Sequence, residues 1–236
     1  MPRPFLTARW EHLCILTYAV PPALIAEMLP RGLEPDTRDG SGFVSLVAFD
    51  FVETRVRGFR VPFHVSFPEV NLRYYVRERL NGEVRRGVCF VRELVPRMAI
   101  AWVAKLLYNE PYATASMSSD VRRHGGIVTA RHGFRTRGAD CTIEVEAEDR
   151  SFTPPEDSWE HFFKEHRWGY GAGRDGRLLR YEVLHPVWEV FTVRRFQLAI
   201  DWARVYGPRW GLLQGVQPVS VVLARGSEVS VSPVLS

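Results

Sequence analysis

Phe67-Pro68-Glu69-Val70-Asn71-Leu72-Arg73-Tyr74-Tyr75 is the stretch on which the fold turns. As a β-strand it puts Phe67, Glu69, Asn71, Arg73 and Tyr75 on one face and Pro68, Val70, Leu72 and Tyr74 on the other. The second face suits a core. The first lines up a carboxylate, an amide, a guanidinium and a phenol, with neighbours roughly 7 Å apart. Such a row either lies on a solvated edge, tied into a structural Glu69–Arg73 network, or lines a polar cavity inside a barrel. Phe67 and Tyr75 on the same face would be poorly placed in water, which favours the cavity.

Working outward, Gly87 to Leu94 reads as the partner strand, joined through the turn signal Asn81-Gly82. His12 to Val20 and Phe43 to Val52 are apolar strand-like runs on the N-terminal side. Between them Pro21-Pro22 opens a short helix, Ala23 to Leu29, closed by Pro30. Downstream, Gly133 to Arg137 leads into Cys141 to Glu148, where Cys141, Ile143, Val145 and Ala147 face one way and Thr142, Glu144, Glu146 and Glu148 the other. That alternation predicts an antiparallel strand with a solvated acidic face. Further strands are expected over Leu178–Val183 and Val187–Val193, and a hairpin over Val219–Val234 folding at Arg225-Gly226-Ser227. Helices are expected over Met98–Asn109, from a Thr153 cap to about His166, and over Phe196–Tyr206. Residues 1–236 show no linker, so the expectation is one α+β domain, mainly an antiparallel β-barrel with three or four flanking helices.

Composition removes several function classes. The 236 residues carry 31 basic and 27 acidic groups, a net charge of only +4. The basic residues are arginines except for Lys105 and Lys164, and many alternate with acids, as in Arg77-Glu78-Arg79 and Arg92-Glu93. This scatter reads as solvated surface and speaks against a nucleic-acid partner. No apolar run is long enough for a membrane-spanning helix, and Pro21-Pro22 break the one stretch resembling a signal peptide, so a cytoplasmic location is expected. Cys14, Cys89 and Cys141 lack metal-binding or disulfide spacing. His161 and His166 fall on different helix faces, which leaves no helical metal site, and no cofactor is expected. Gly171-Ala172-Gly173-Arg174-Asp175-Gly176 matches a dinucleotide fingerprint but has a helix before it and a strand after it, the reverse of what that motif needs. Trp168, Tyr170 and Trp210 read as exposed aromatics, and the oligomeric state is not legible.

Together, F-P-E-V-N-L-R-Y-Y-V, N-E-P-Y-A-T-A-S-M and L-H-P-V-W resemble the YqjF-like family of uncharacterised bacterial proteins, placed in the acetoacetate-decarboxylase-like superfamily. R-W-E-H-L and P-R-G-L-E-P-D-T-R-D-G near the N-terminus are also similar. The resemblance implies a closed β-barrel with flanking helices and a central pocket. It also implies that Glu69 matches the aromatic-x-Glu pattern of a catalytic glutamate. The Schiff-base lysine of acetoacetate decarboxylases follows a proline after the central helix. Here Tyr112 follows Pro111, and Lys105 lies seven residues before Tyr112, on the outer face of its predicted helix.

The expectation is therefore a barrel that binds a small anionic organic molecule and acts, if it is an enzyme, by acid/base chemistry on an oxo acid without a Schiff base. Glu69 is the acid/base residue, and Tyr112 and Asn71 orient the ligand. Arg73 anchors a carboxylate, Phe67 and Tyr75 flank it, and His185 with Trp188 closes the pocket. The alternatives are a non-catalytic sensor or carrier and, below that, a basic nucleic-acid module.

Overall fold

The computed structural model describes residues 3–62, 64–96 and 111–235. Fourteen strands join in one sheet. Along its main path lie β1 (Leu6–Val20), β3 (Gly42–Val56), β5 (Phe67–Leu80), β6 (Glu83–Val95), β11 (Trp168–Ala172), β12 (Leu178–Leu184), β14 (Ser220–Val231), β13 (Val190–Ala199), β10 (Ala139–Phe152), β9 (Ile127–Thr136) and β8 (Ser116–His124). Because β14 also pairs with β1 from Leu6↔Val231 to Thr17↔Ser220, the first seven strands of that path close on themselves, and β13, β10, β9 and β8 form a wing. Short strands β2 (Leu33–Pro35), β4 (Phe59–Arg60) and β7 (Tyr112–Thr114) attach to β5, β3 and β6. The described helices are α1 (Pro22–Ala26), α2 (Trp159–Lys164), α3 (Trp202–Tyr206) and a 3-10 turn at Pro208–Leu213.

The β5–β6 hairpin follows from its turn. Asn81 and Gly82 both take positive φ, 51° and 84°, the geometry of a two-residue type I′ loop whose twist matches the strands it joins. The ring closes at a narrow place, where β6 and β11 pair in parallel through Gly87↔Trp168 and Val88↔Gly169 alone. A Cβ on Gly87 would lie 2.3 Å from the Trp168 carbonyl oxygen and 2.5 Å from the Tyr170 ring, so closure needs glycine there.

The main core lies outside the ring. Leu16, Tyr18, Leu46, Ala48, Val70, Leu72 and Tyr74 pack against Val128, Ala130, Ile143, Val145 and Ala147 of the wing and against Trp202, Tyr206 and Trp210. Strands β1, β3 and β5 are thus covered on both sides, which explains their near-continuous apolar runs. On β10 the alternation is as expected. Its acids meet arginines across the sheet, Glu144 with Arg131 at 3.0 Å and Glu146 with Arg195 at 2.6 Å, so much of the charge scatter is cross-strand pairing.

Several sequence expectations are corrected. The Thr153 cap does not form. Residues 153–155 run without helix, and Ser158 caps α2 by accepting from the His161 amide at 3.1 Å. Residues 196–199 continue β13 because Phe196 and Leu198 pair with Val145 and Ile143, so α3 starts only after Asp201. The C-terminal hairpin is one strand. Gly226, at φ 81°, kinks β14 where its outer edge changes partner from β13 to β12, while β1 pairs along both halves. Tyr170 and Trp210 are buried rather than exposed. The expected helix over Met98–Asn109, with Lys105, lies outside the described residues.

Candidate functional site

Phe67, Glu69, Asn71 and Arg73 share one face of β5 and line one cavity of about 210 Å³. Register carries the wall to both neighbours. On β3, Phe51, Phe49 and Val47 stand opposite Phe67, Glu69 and Asn71 and join the lining. On β6, Phe90 stands opposite Arg73, and a β-bulge then adds one residue before Glu93 comes opposite Asn71. Unbroken alternation from Phe90 would turn Arg92 inward. The bulge turns Glu93 inward instead and sends Arg92 outward to donate to the Val205 carbonyl.

Glu69 and Asn71 are both only 3% exposed, and Asn71 Nδ2 donates to Glu69 Oε1 at 2.9 Å. This bond fixes the amide, and Asn71 Oδ1 has no hydrogen-bond partner among the described residues. Arg73 Nη2 donates to the Phe163 carbonyl at 2.9 Å, while its buried Nε has no partner among the described residues. Tyr112 lies beside Glu93 in the parallel β6–β7 pair and lines the same cavity. His185 stacks on Trp188 with ring centroids 3.9 Å apart, and both rings line the chamber. Burial holds His185 below the ordinary histidine range.

Tyr75 is the sequence-predicted residue that does not reach the chamber. Its hydroxyl bonds Ser45 Oγ at 2.6 Å and donates to the Phe163 carbonyl at 3.2 Å, and its ring packs on Phe163. Helix α2 covers this end of β5, so the polar face of the strand divides between chamber and core.

Among the polar lining residues that escape the sequence reading are Glu93, Lys164 and His166. Glu93, 2% exposed, was part of the apparently solvated Arg92-Glu93 pair, and only the bulge moves it inside. Lys164 ends α2 with its side chain fully buried and ion-paired with Glu165. A lysine directly after Phe162-Phe163 in an arginine-rich chain was the available signal. His166, two residues on, also faces the chamber. Toward β3 and β1 the lining is aromatic. Phe51 and Phe67 stack at 4.7 Å, and Trp10 lies 4.9 Å from Phe49 and 6.0 Å from Trp188. The chamber is thus amphipathic. Two carboxylates, two cations and three histidines share it with a large apolar surface, a pattern that suits a small organic anion. No cluster of three metal-ligating side chains occurs among the described residues.

A family model for uncharacterized conserved proteins, DUF2071, matches residues 7–228. The chain belongs to the DUF2071 family. The uncharacterized protein YqjF of Bacillus subtilis (strain 168) is 27% identical over 112 residues, so the match spans 47% of this chain and about half, 45%, of that relative. Among solved structures, an acetoacetate decarboxylase from Legionella pneumophila superposes with a TM-score of 0.68 at 13% identity, covering 100% of this chain and 92% of that one. The enduracididine biosynthesis enzyme MppR complexed with pyruvate gives 0.62 at 15% identity, covering 98% and 88%. These likenesses place the DUF2071 chain in the acetoacetate-decarboxylase-like fold. No described helix is long and apolar enough to cross a membrane.

Proposed function

We propose that the ring of seven strands is a barrel in a single cytoplasmic domain, and that its chamber binds a small 2-oxo acid and moves protons on it without a cofactor. The observation that carries this reading is the enclosure of Glu69, Asn71 and Arg73 in one cavity with an adjoining aromatic lining. Arg73 grips the carboxylate with the donors that Phe163 leaves free. Glu69, oriented by Asn71, exchanges a proton with the ligand, Tyr112 orients it, and His185 on Trp188 covers it. The complex of MppR, a structural neighbour, with pyruvate supports the ligand class.

Titration with pyruvate, followed calorimetrically, tests the binding. Glu69→Gln separates enzyme from carrier. An enzyme keeps pyruvate affinity and loses proton exchange on it, whereas a carrier shows no exchange in either form. No saturable binding of pyruvate or a longer 2-oxo acid would refute the reading.

Buried Lys164 favours a second reading, in which its amine condenses with the ligand carbonyl and releases water. Borohydride added with pyruvate would then leave a covalent adduct on Lys164, absent in Lys164→Met. Without an adduct, Lys164 serves as a fixed positive charge.

A further inference from the structure

Among the described residues, His166 is the chamber residue that also lines a second cavity. That cavity is a surface cleft of about 450 Å³ whose polar lining includes Arg38, Arg86, His161 and Glu165. The imidazole side chain is 3% exposed and forms part of the wall between the two spaces. Its Nε2 lies 2.9 Å from Oδ2 of Asp36, a carboxylate with no solvent exposure. A carboxylate accepts, so Nε2 carries the proton and Nδ1 is left as the acceptor. Nδ1 is buried and has no hydrogen-bond partner among the described residues. An orphaned buried acceptor on a cavity-lining residue costs stability unless a bound group uses it.

The surroundings keep the ring neutral. Burial lowers its pKa, Asp36 opposes that, and the nearby Arg73 and Arg86 guanidiniums add to the lowering. Arg86 also reaches Asp36 at 3.4 Å, and the rings of Tyr75 and Phe162 meet the imidazole edge-on at 4.8 and 5.1 Å. Packed against two rings and pinned at one nitrogen, the imidazole has a fixed orientation.

We infer that His166 is a proton-transferring residue of the chamber, held in its working tautomer by Asp36. The inference rests on the oxo-acid reading of the chamber. A site that moves protons at two atoms of an oxo acid needs two such groups, and Glu69 is one. Nδ1 takes a proton from the carbon next to the ligand carbonyl. The C–H electron pair becomes the C=C bond of an enol as the Glu69 carboxyl gives its proton to the carbonyl oxygen, and the reverse steps restore both groups. The imidazolium is balanced by the Asp36 carboxylate. Its Nδ1 proton exchanges with solvent, and one returns to the carbon. Asp36 is a positioning residue in this scheme, because it never touches the ligand.

Pyruvate in D₂O reads the exchange directly, as loss of the methyl signal in proton NMR. The wild-type chain is expected to accelerate that loss. His166→Gln should slow it about 10²–10⁴-fold, the usual weight of a general base, with pyruvate affinity kept within a few-fold. Asp36→Asn, which can donate to Nε2 and so force the proton onto Nδ1, should also abolish exchange while binding persists. Nitrogen NMR of the unliganded wild type should show a neutral His166 with its proton on Nε2 at pH 7. A His166→Gln chain exchanging at the wild-type rate, or a wild-type ring charged or protonated on Nδ1, would overturn the assignment. Pyruvate binding without exchange sinks this inference and leaves the ligand reading standing. Failure to bind 2-oxo acids removes both.

Discussion

Lowering the pH from 7.5 to 5.5 is expected to destabilise this protein through its histidines well before its carboxylates respond. Burial lowers the pKa of His12, His132, His166 and His185. In the unfolded chain each returns to an ordinary value near 6.5. The unfolded state therefore binds more protons as pH falls below about 6.5, so stability is full above that value and declines beneath it. Each histidine that stays neutral in the folded state contributes up to about 1.4 kcal/mol per pH unit. His132 and His166 are the most enclosed; His132 has no exposure and neither of its ring nitrogens has a partner among the described residues. Integrated from pH 7.5 to 5.5, these two together cost up to about 2.7 kcal/mol. The carboxylates held low by arginine partners, such as Glu34 and Glu146, lose their contribution only below about pH 4.5, so the two windows separate. Urea unfolding at half-unit pH steps measures the slope. His132→Gln should reduce it by up to about 1.4 kcal/mol per pH unit between pH 6 and 5. An unfolding midpoint that does not move between pH 7.5 and 5.5 would refute the reasoning.

Other consequences follow from the same geometry. Gly87→Ala sets a methyl group against the Trp168 carbonyl and should cost at least about 1–3 kcal/mol. Because it acts at the two-residue β6–β11 seam, hydrogen exchange there should rise more than in β5, and uniform protection would argue against the seam. Phe49→Ala removes a ring from the apolar chamber wall. It should shift preference from pyruvate toward phenylpyruvate in calorimetric titrations; an unchanged ratio would mean the ring does not meet the ligand.

Much of the fold was legible because β-strands expose their logic at a period of two. The alternation of β10, the Asn81-Gly82 turn and the two faces of β5 could each be read from the residues alone. What could not be read depended on contacts distant in sequence. Gly226 looks like a hairpin turn until β1 is seen pairing along both sides of it. Phe196 to Ala199 can alternate as a helix or a strand, and β10 decides. The site divides in the same way. Glu69, Asn71 and Arg73 follow from one strand's period, whereas Glu93 enters through a bulge and Lys164 and His166 through a short capped helix and the turn after it. Tyr75 keeps the period but loses the chamber, because α2 covers that end of the strand.

A crystal structure of the wild-type chain soaked with pyruvate, beside calorimetry of Arg73→Gln, bears most directly on the role assigned to the inward face of β5. The expected result is a carboxylate within hydrogen-bonding distance of the Arg73 guanidinium and the oxo group near Glu69. Losing that charge-assisted contact in Arg73→Gln should weaken affinity about 10- to 150-fold. Pyruvate bound elsewhere, or bound equally well without the arginine, would contradict the account.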